Sequence, residues 1–260
     1  MPKPLKRFGQ NYLVDKNILN KIIENINPGI EDVIVEIGPG TGALTRLLAD
    51  KSKKLIAVEI DKRVADDLKE EFPQVELIRG DFLDVDLHKI SSTYKKRLRI
   101  VGNIPYNLTS SIIFKLFSNN NIIYDSVLMV QYEVAKRMIA KPGTKDYGIL
   151  TVLLNYFTKT EICFRISPNV FFPKPKVYSA LVRINFRQMA DTEDFQRLFI
   201  KVVKATFSTR RKTLKNSLSG SIFKDINFNN CEIDLIRRAE TLDTDEFIQL
   251  TKYVNSQSGD

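Results

Sequence analysis

Short apolar runs alternate with helical spacings along the first two thirds of the chain. Ile18, Leu19, Ile22, Ile23 and Ile26 share one face of a helix that Asp15 can cap and that Asn27-Pro28-Gly29 ends. The apolar stretch 33–37 predicts a strand, which feeds into Gly38-Pro39-Gly40-Thr41-Gly42 and then a helical pattern through Leu44, Leu47 and Leu48. Further strands are expected at 55–58, closing on Glu59 and Asp61, and at 75–78, ending at Gly80-Asp81. Two more follow at 98–101, ending at Gly102-Asn103, and at 127–130, with a helix through Val64 and Leu68 between the second and third strands. Strands alternating with helices imply an α/β architecture with a parallel sheet covered on both faces. Such sheets bind ligands at the carboxyl ends of their strands, where Glu36, Glu59, Asp81 and Asn103 fall.

The pattern changes beyond Phe164. Residues 179–186 read as a late strand, antiparallel to its neighbours, and from Gln188 onward only helices are expected. Asp243 with Glu246 has the spacing of a capping box opening the last helix. A boundary near Arg187 therefore divides the chain into an α/β domain, 1–187, and a helical domain, 188–260.

Charge adds a partner class. The 260 residues carry 40 Lys and Arg against 31 Asp and Glu, a net charge of +9, which suits a polyanionic partner. Two separated cysteines, Cys163 and Cys231, and a single histidine, His88, offer neither a thiolate zinc site nor a histidine triad, so no metal is expected. The low cysteine count fits a reducing cytoplasm, and neither a secretory signal nor a membrane span is legible.

The glycine turn after the first strand lets the backbone approach a ligand closely, with Gly38 and Gly40 as candidate contacts. Its Gly-x-Gly-x-Gly spacing differs from the dinucleotide fingerprint and suits a cofactor without a pyrophosphate, such as S-adenosylmethionine. At the second strand end Glu59 can accept both hydroxyls of a ribose, and at the third Asp81 can accept from an adenine amine. Asn103-Ile104-Pro105-Tyr106 suits a harder task. An adenine amine is a weak nucleophile because its lone pair is delocalised into the ring. Acceptors at the Asn103 side-chain oxygen and the Ile104 carbonyl can draw the N–H groups out of plane and aim the lone pair at a methyl donor. Pro105 stiffens that turn and withholds a competing N–H, while Tyr106 offers a ring for the base. Phe171 belongs to a second aromatic segment, stiffened by prolines, in which Lys174 and Lys176 can meet phosphate. Arg210, Arg211 and Lys212 cluster without a compensating acid and read as an RNA-backbone contact, to which Lys3, Lys6 and Arg7 add.

In this order the motifs resemble those of the KsgA-type ribosomal RNA small-subunit adenine N6,N6-dimethyltransferases. The resemblance runs from Arg7-Phe8-Gly9-Gln10-Asn11-Tyr12-Leu13 to Phe171-x-Pro-x-Pro-Lys176-Val177-x-Ser179 and Phe207-x-x-Arg210-Arg211-Lys212-Thr213. It implies a Rossmann-like methyltransferase domain with a small helical RNA-binding domain, and S-adenosylmethionine as methyl donor. It further implies cofactor contacts at Asn11, Leu13, Gly38, Glu59, Asp81 and Asn103, and a target adenine sandwiched between Tyr106 and Phe171. The implied substrate is a pair of adjacent adenines near the 3′ end of small-subunit rRNA, in an immature subunit, each methylated twice by a monomeric cytoplasmic enzyme. Ile104 also occurs in the related Erm enzymes of large-subunit rRNA, whereas Arg210-Arg211-Lys212-Thr213 and Glu240-Thr241-Leu242 look KsgA-like. Three rival readings are an Erm-type enzyme, an RNA-binding ribosome-assembly factor, and a small-molecule methyltransferase, the last disfavoured by the basic C-terminal domain.

Overall fold

A computed structural model describes residues 4–5, 9–209 and 211–257. In chain order the elements begin with β1 (Tyr12–Leu13), α1 (Lys16–Ile26), β2 (Val33–Ile37), α2 (Thr45–Leu48), β3 (Lys54–Glu59), α3 (Lys62–Glu71) and β4 (Glu76–Arg79). They continue with α4 (Leu87–Tyr94), β5 (Leu98–Asn103), α5 (Thr109–Ser118), β6 (Ile123–Gln131), α6 (Tyr132–Met138), α7 (Ile149–Phe157) and β7 (Thr158–Ile166). The last are β8 (Phe171–Phe172), β9 (Ser179–Phe186), α8 (Glu193–Thr206), α9 (Leu214–Ser219) and α10 (Thr244–Gln257).

The chain divides into two compact units, 1–135 with 159–187 and 136–158 with 188–260. In the first, a seven-stranded sheet has the order β4-β3-β2-β5-β6-β9-β7. β4, β3, β2, β5 and β6 pair in parallel and β9 runs antiparallel to β6, as expected of the late strand. The chain leaves β2 outward through β3 and β4, then returns to place β5 on the other flank of β2. The carboxyl ends of β2 and β5 therefore flank the switch point, where open α/β sheets hold ligands. β2 is buried along its whole length, which is why it reads as an apolar run, broken only by Glu36, rather than as an alternating one. α1 lays Leu19, Ile22, Ile23 and Ile26 on one face of the sheet among Ile34, Val101, Val127 and Leu181. Asp15 caps it by accepting from the Ile18 amide at 2.9 Å, and Asn27 ends it in the left-handed conformation.

Gly102 allows β5 to lie against β2: a Cβ there would sit 2.5 Å from the Ile37 carbonyl oxygen, and backbone cannot yield as a side chain can. At the amino end of the same strand, the β5–β6 register shifts at Arg99, whose guanidinium is saturated. It donates to Asp125 through Nε (2.8 Å) and Nη2 (2.6 Å), to Asp32 (2.6 Å), and to the Ile26 and Asn27 carbonyls at the end of α1 (2.7 and 3.0 Å). Burial opposes the charge on Arg99, but the bonds to Asp125 and Asp32 outweigh it and hold the guanidinium protonated.

The second unit is helical. Tyr156 of α7 stacks on Phe199 of α8, with ring centroids 4.0 Å apart, and its hydroxyl donates to Asp191 at 2.6 Å. Phe207 stacks on Phe247 of α10, and the Tyr147 hydroxyl donates to the Leu242 carbonyl at 2.8 Å. These aromatic contacts place 136–158 with the C-terminal helices, so the division differs from a single cut at Arg187. The capping box forms as its spacing suggested: Glu246 N donates to Asp243 Oδ1 and Asp243 N to Glu246 Oε2, both at 2.9 Å.

Asp125→Ala is expected to lower unfolding stability by ~3–5 kcal/mol, because it leaves a buried guanidinium without its bidentate partner. Urea titration checks this; a loss under about 1 kcal/mol would mean that the cluster does not hold α1 to the sheet.

Candidate active site

The ends of β2, β3 and β5 open onto one cavity. Asn11, Leu13, Gly38, Gly40, Glu59 and Asp81 all line it, and so do Asn103, Ile104, Pro105 and Tyr106, from five separate stretches of sequence. Gly40 has φ +56°, and a Cβ on it would lie 2.9 Å from the Tyr12 ring, so only glycine lets that ring pack on the loop.

Glu59, 3% exposed, anchors the loop. Its Oε2 accepts from Gly40 N at 3.2 Å and its Oε1 from Asp61 N at 2.9 Å. Each oxygen keeps a further lone pair for a ligand hydroxyl. Burial pushes its pKa up, and the backbone donors oppose that. Asp81 caps the turn after β4 through Leu83 N at 2.9 Å. Tyr12 contributes a buried hydroxyl without a hydrogen-bond partner among the described residues, raised in pKa by burial and by the nearby charges of Glu59 and Asp61. It stays protonated and available as a donor.

The decisive geometry is at Asn103. Its Nδ2 donates to the Asn11 carbonyl at 2.7 Å. That bond fixes which end of the amide is which: the nitrogen is spent on the N-terminal segment, and the oxygen is left as an acceptor on a residue that lines the cavity. Among the described residues neither Asn103 Oδ1 nor the Ile104 carbonyl accepts a hydrogen bond, so both acceptors are open. The Tyr106 hydroxyl bonds Ser179 Oγ at 2.6 Å, which sets the ring at the cavity wall. Burial raises the Tyr106 pKa, leaving a neutral phenol.

Phe171 is placed elsewhere than expected. It is 4% exposed, packs in the cluster that contains Leu13, Met129 and Leu181, and does not line the cavity. β8 pairs with β1, setting Leu13 opposite Phe171 and Tyr12 opposite Phe172, and neighbouring residues of a strand face opposite ways. Phe172 is consequently the exposed ring of the pair, at 56%. Lys174, Lys176, Arg211 and Lys212 are exposed, and Arg7 and Arg210 lie outside the described residues.

Three residues, Gln10, Asp61 and Glu36, are given no role by the sequence. Gln10 Nε2 donates to Asp61 at 3.2 Å, tying the N-terminal segment to the end of β3. Asp61 caps α3 and is held below the usual carboxylate range, chiefly by its bonds with the Arg63 side chain. Glu36, legible only as a strand-end acid, is buried, accepts from Thr45 Oγ1 at 2.8 Å and has its pKa pushed up to about 7 by burial.

A family model described as ribosomal RNA adenine dimethylase matches residues 2–256. The chain belongs to that family. Among relatives of this rRNA adenine dimethylase, the ribosomal RNA small subunit methyltransferase A of Chlorobium phaeobacteroides is 42% identical, covering 96% of this chain and 90% of its own. The enzyme of the same name from Francisella tularensis is 36% identical, covering 97% and 98%. A dimethyladenosine transferase from Plasmodium falciparum superposes with a TM-score of 0.78 at 27% identity, over 95% of this chain and 98% of that one. The 23S rRNA methyltransferase ErmE shares the fold, with a TM-score of 0.69 at 24% identity over 94% of this chain and 100% of its own.

Glu36 yields a prediction with a definite sign. Its folded pKa lies above its unfolded value of 4.5, so the native state holds the extra proton. The stability this adds is full below about pH 4.5 and is lost as pH rises through about 7. Glu36→Gln keeps the Thr45 acceptor and is expected to abolish up to ~3 kcal/mol of that decline. Urea unfolding of the ligand-free protein at pH 5 and pH 8 checks it; equal pH slopes for both proteins would place the titration elsewhere.

Proposed function

We propose that this enzyme dimethylates N6 of two adjacent adenines near the 3′ end of small-subunit rRNA, with S-adenosylmethionine as methyl donor, while the subunit matures. The observation that carries this is the oriented Asn103 amide beside the open Ile104 carbonyl. Two acceptors at a tight turn, next to a half-buried tyrosine ring, suit an exocyclic amine on a flat base that has left its stack.

The cofactor fits the residues present. The Glu59 carboxylate has lone pairs for a ribose diol, the Tyr12 hydroxyl has no hydrogen-bond partner among the described residues, and the glycine loop lines the cavity beside them. When bound, S-adenosylmethionine supplies an electrophilic methyl group on a sulfonium. Asn103 Oδ1 and the Ile104 carbonyl accept the two N–H groups of the amine and turn its lone pair out of conjugation. Tyr106 stacks on the base and holds its plane. Alignment of this kind contributes ~7–11 kcal/mol for well-oriented reactants. The amine's proton departs after attack, which requires no dedicated base at the site. A second ring over the base, from Phe171, requires that ring to leave the cluster it shares with Leu13. Lys174 and Lys176 in the first unit, and Arg211 and Lys212 in the second, supply phosphate contacts. The protein acts as a cytoplasmic monomer on an immature small ribosomal subunit.

Nucleoside mass spectrometry, after incubation with undermethylated small subunits and separately with naked large-subunit rRNA, tests the reading. Dimethyladenosine confined to the small-subunit RNA supports it. Product in the large-subunit RNA alone transfers the protein to the Erm specificity, and no product in either points to an assembly factor. Asn103→Ala is expected to lower turnover by about 100-fold or more, comparable to removing one positioned hydrogen-bonding group elsewhere, with the urea midpoint unchanged. Near-normal turnover would remove the acceptor role. Arg211→Glu is expected to weaken RNA binding and to reduce the slope of log K against log salt by about one unit for each phosphate left without its cation. An unaltered slope would take Arg211 out of the interface.

A further inference from the structure

A second feature stands at the same edge of the sheet as Tyr106 and is not part of the cavity. The Arg165 guanidinium, from β7, lies 3.5 Å from the centroid of the Tyr178 ring, which immediately precedes β9. It also lies 5.0 Å from the ring of Tyr132, which immediately follows β6. Because β6, β9 and β7 are neighbours, the three residues form a row across adjacent strand ends. The Tyr132 amide donates to the Tyr178 carbonyl at 2.9 Å, which extends the β6–β9 ladder through the row and holds it in register. Arg165 is exposed and forms no ion pair among the described residues, so its charge faces solvent. Tyr178 remains 44% exposed although a guanidinium covers part of it.

An isolated arginine–tyrosine pair on a sheet edge would need no explanation. Here the surroundings make it more than that. Phe172, Val177 and Tyr178, three of the large apolar side chains exposed among the described residues, fall together on the stretch 172–178. From Cys163 to Ala190 the chain has five cations and no carboxylate. Arg183 among them pairs with Glu161, but Arg165, Lys174 and Lys176 form no ion pair among the described residues. Exposed flat rings beside such cations are what single-stranded nucleic acid needs: a stacking face for each base and a positive charge for each phosphate. A protein partner would be served by the rings, but the stretch that carries Phe172 and Tyr178 offers no acid to pair with its cations. The row is also tied to the candidate active site. Tyr178 is bonded covalently to Ser179, whose Oγ holds the Tyr106 hydroxyl at 2.6 Å.

We propose that the Arg165–Tyr178 pair is a stacking platform for an unpaired nucleotide flanking the target adenine, with Lys174 and Lys176 on the phosphates of the same strand. This rests on the RNA-methylating reading above and extends it by giving the substrate a second point of recognition. The guanidinium has two parts in it. It fixes the ring against the strand ends, and it places a positive charge beside a stacked base. A purine flanking the target has the larger face and is the preferred occupant.

The test uses the full-length protein and RNA hairpins that carry 2-aminopurine at each position flanking the target adenine in turn. With the wild-type protein, fluorescence is expected to quench at one flanking position on binding. Tyr178→Ala is expected to lose that quench and to weaken RNA affinity about tenfold, within the range for one lost base stack. Tyr178→Phe is expected to keep both, and Arg165→Gln to fall between them. The affinity of each variant for S-adenosylhomocysteine, expected to match wild type, shows that the fold and cofactor cavity are intact. With saturating RNA, kcat is expected to hold within twofold while KM rises, as a substrate-holding surface requires. An unchanged quench and RNA affinity in Tyr178→Ala would overturn the proposal. So would variants that bind RNA normally yet fail to bind a protein of the small subunit, which would give the surface to a protein partner. Failure of the wild type to methylate the hairpin or the subunit would count against the functional reading alone, since the quench is read from binding without transfer.

Discussion

The close approach of β5 to β2, which only a glycine at position 102 permits, is the constraint on which the site depends. It brings Ile37, the last residue of β2, beside Gly102, the residue before the last of β5, so that the two segments part just beyond that pair. One then turns through the glycine loop to meet Glu59, and the other turns through Asn103 to Tyr106. The cavity between them is the space left by that parting. At the far end of β5, Arg99 fastens the strand to β6 and to the end of α1, so the edge that carries chemistry is held from the edge that carries none.

The polar groups of the site differ in how much freedom they retain. Asp61 is committed to α3 and Arg63, and Glu36 to Thr45, leaving neither much to offer a ligand. Glu59 is committed only in part, since both of its oxygens hold backbone donors and both retain acceptor capacity. Asn103 has its donor end occupied and its acceptor end open. A gradient from spent to available groups therefore runs from the glycine loop towards Tyr106. Cofactor recognition can be rigid, while the place where the base arrives keeps its hydrogen-bonding capacity.

Much of this was legible in the sequence, and what was not has physical causes. The inner parallel strands were readable because burial leaves them short, mainly apolar runs, and the residues that line the cavity were readable because strand ends in such a sheet are where polar residues stand out. β7 was missed. It follows α7 with no glycine or proline between Phe157 and Thr158, and as an edge strand it is only partly buried, so it shows neither a run nor a clean alternation. The affiliation of 136–158 with the helical unit was hidden because it depends on aromatic pairs formed with residues far along the chain, such as Tyr156 with Phe199. Phe171 and Phe172 show the limit of motif reasoning: adjacent rings of one type face opposite ways, and which faces inward is decided by the pairing of β8 with β1, a contact more than 150 residues apart in sequence. The orientation of the Asn103 amide was equally out of reach, because its partner is the backbone of Asn11.

The short segment from Gln10 to Leu13 serves several structures at once. It walls the cavity, bonds Asp61 through Gln10, holds the Asn103 amide through the Asn11 carbonyl, and pairs with β8 at the start of the exposed aromatic stretch. A segment that touches the cavity, the acceptor amide and the exposed aromatic stretch makes their geometry a joint property. The residues that wall the pocket are also the ones that aim the amide, so a substitution that displaced this segment would loosen all three together.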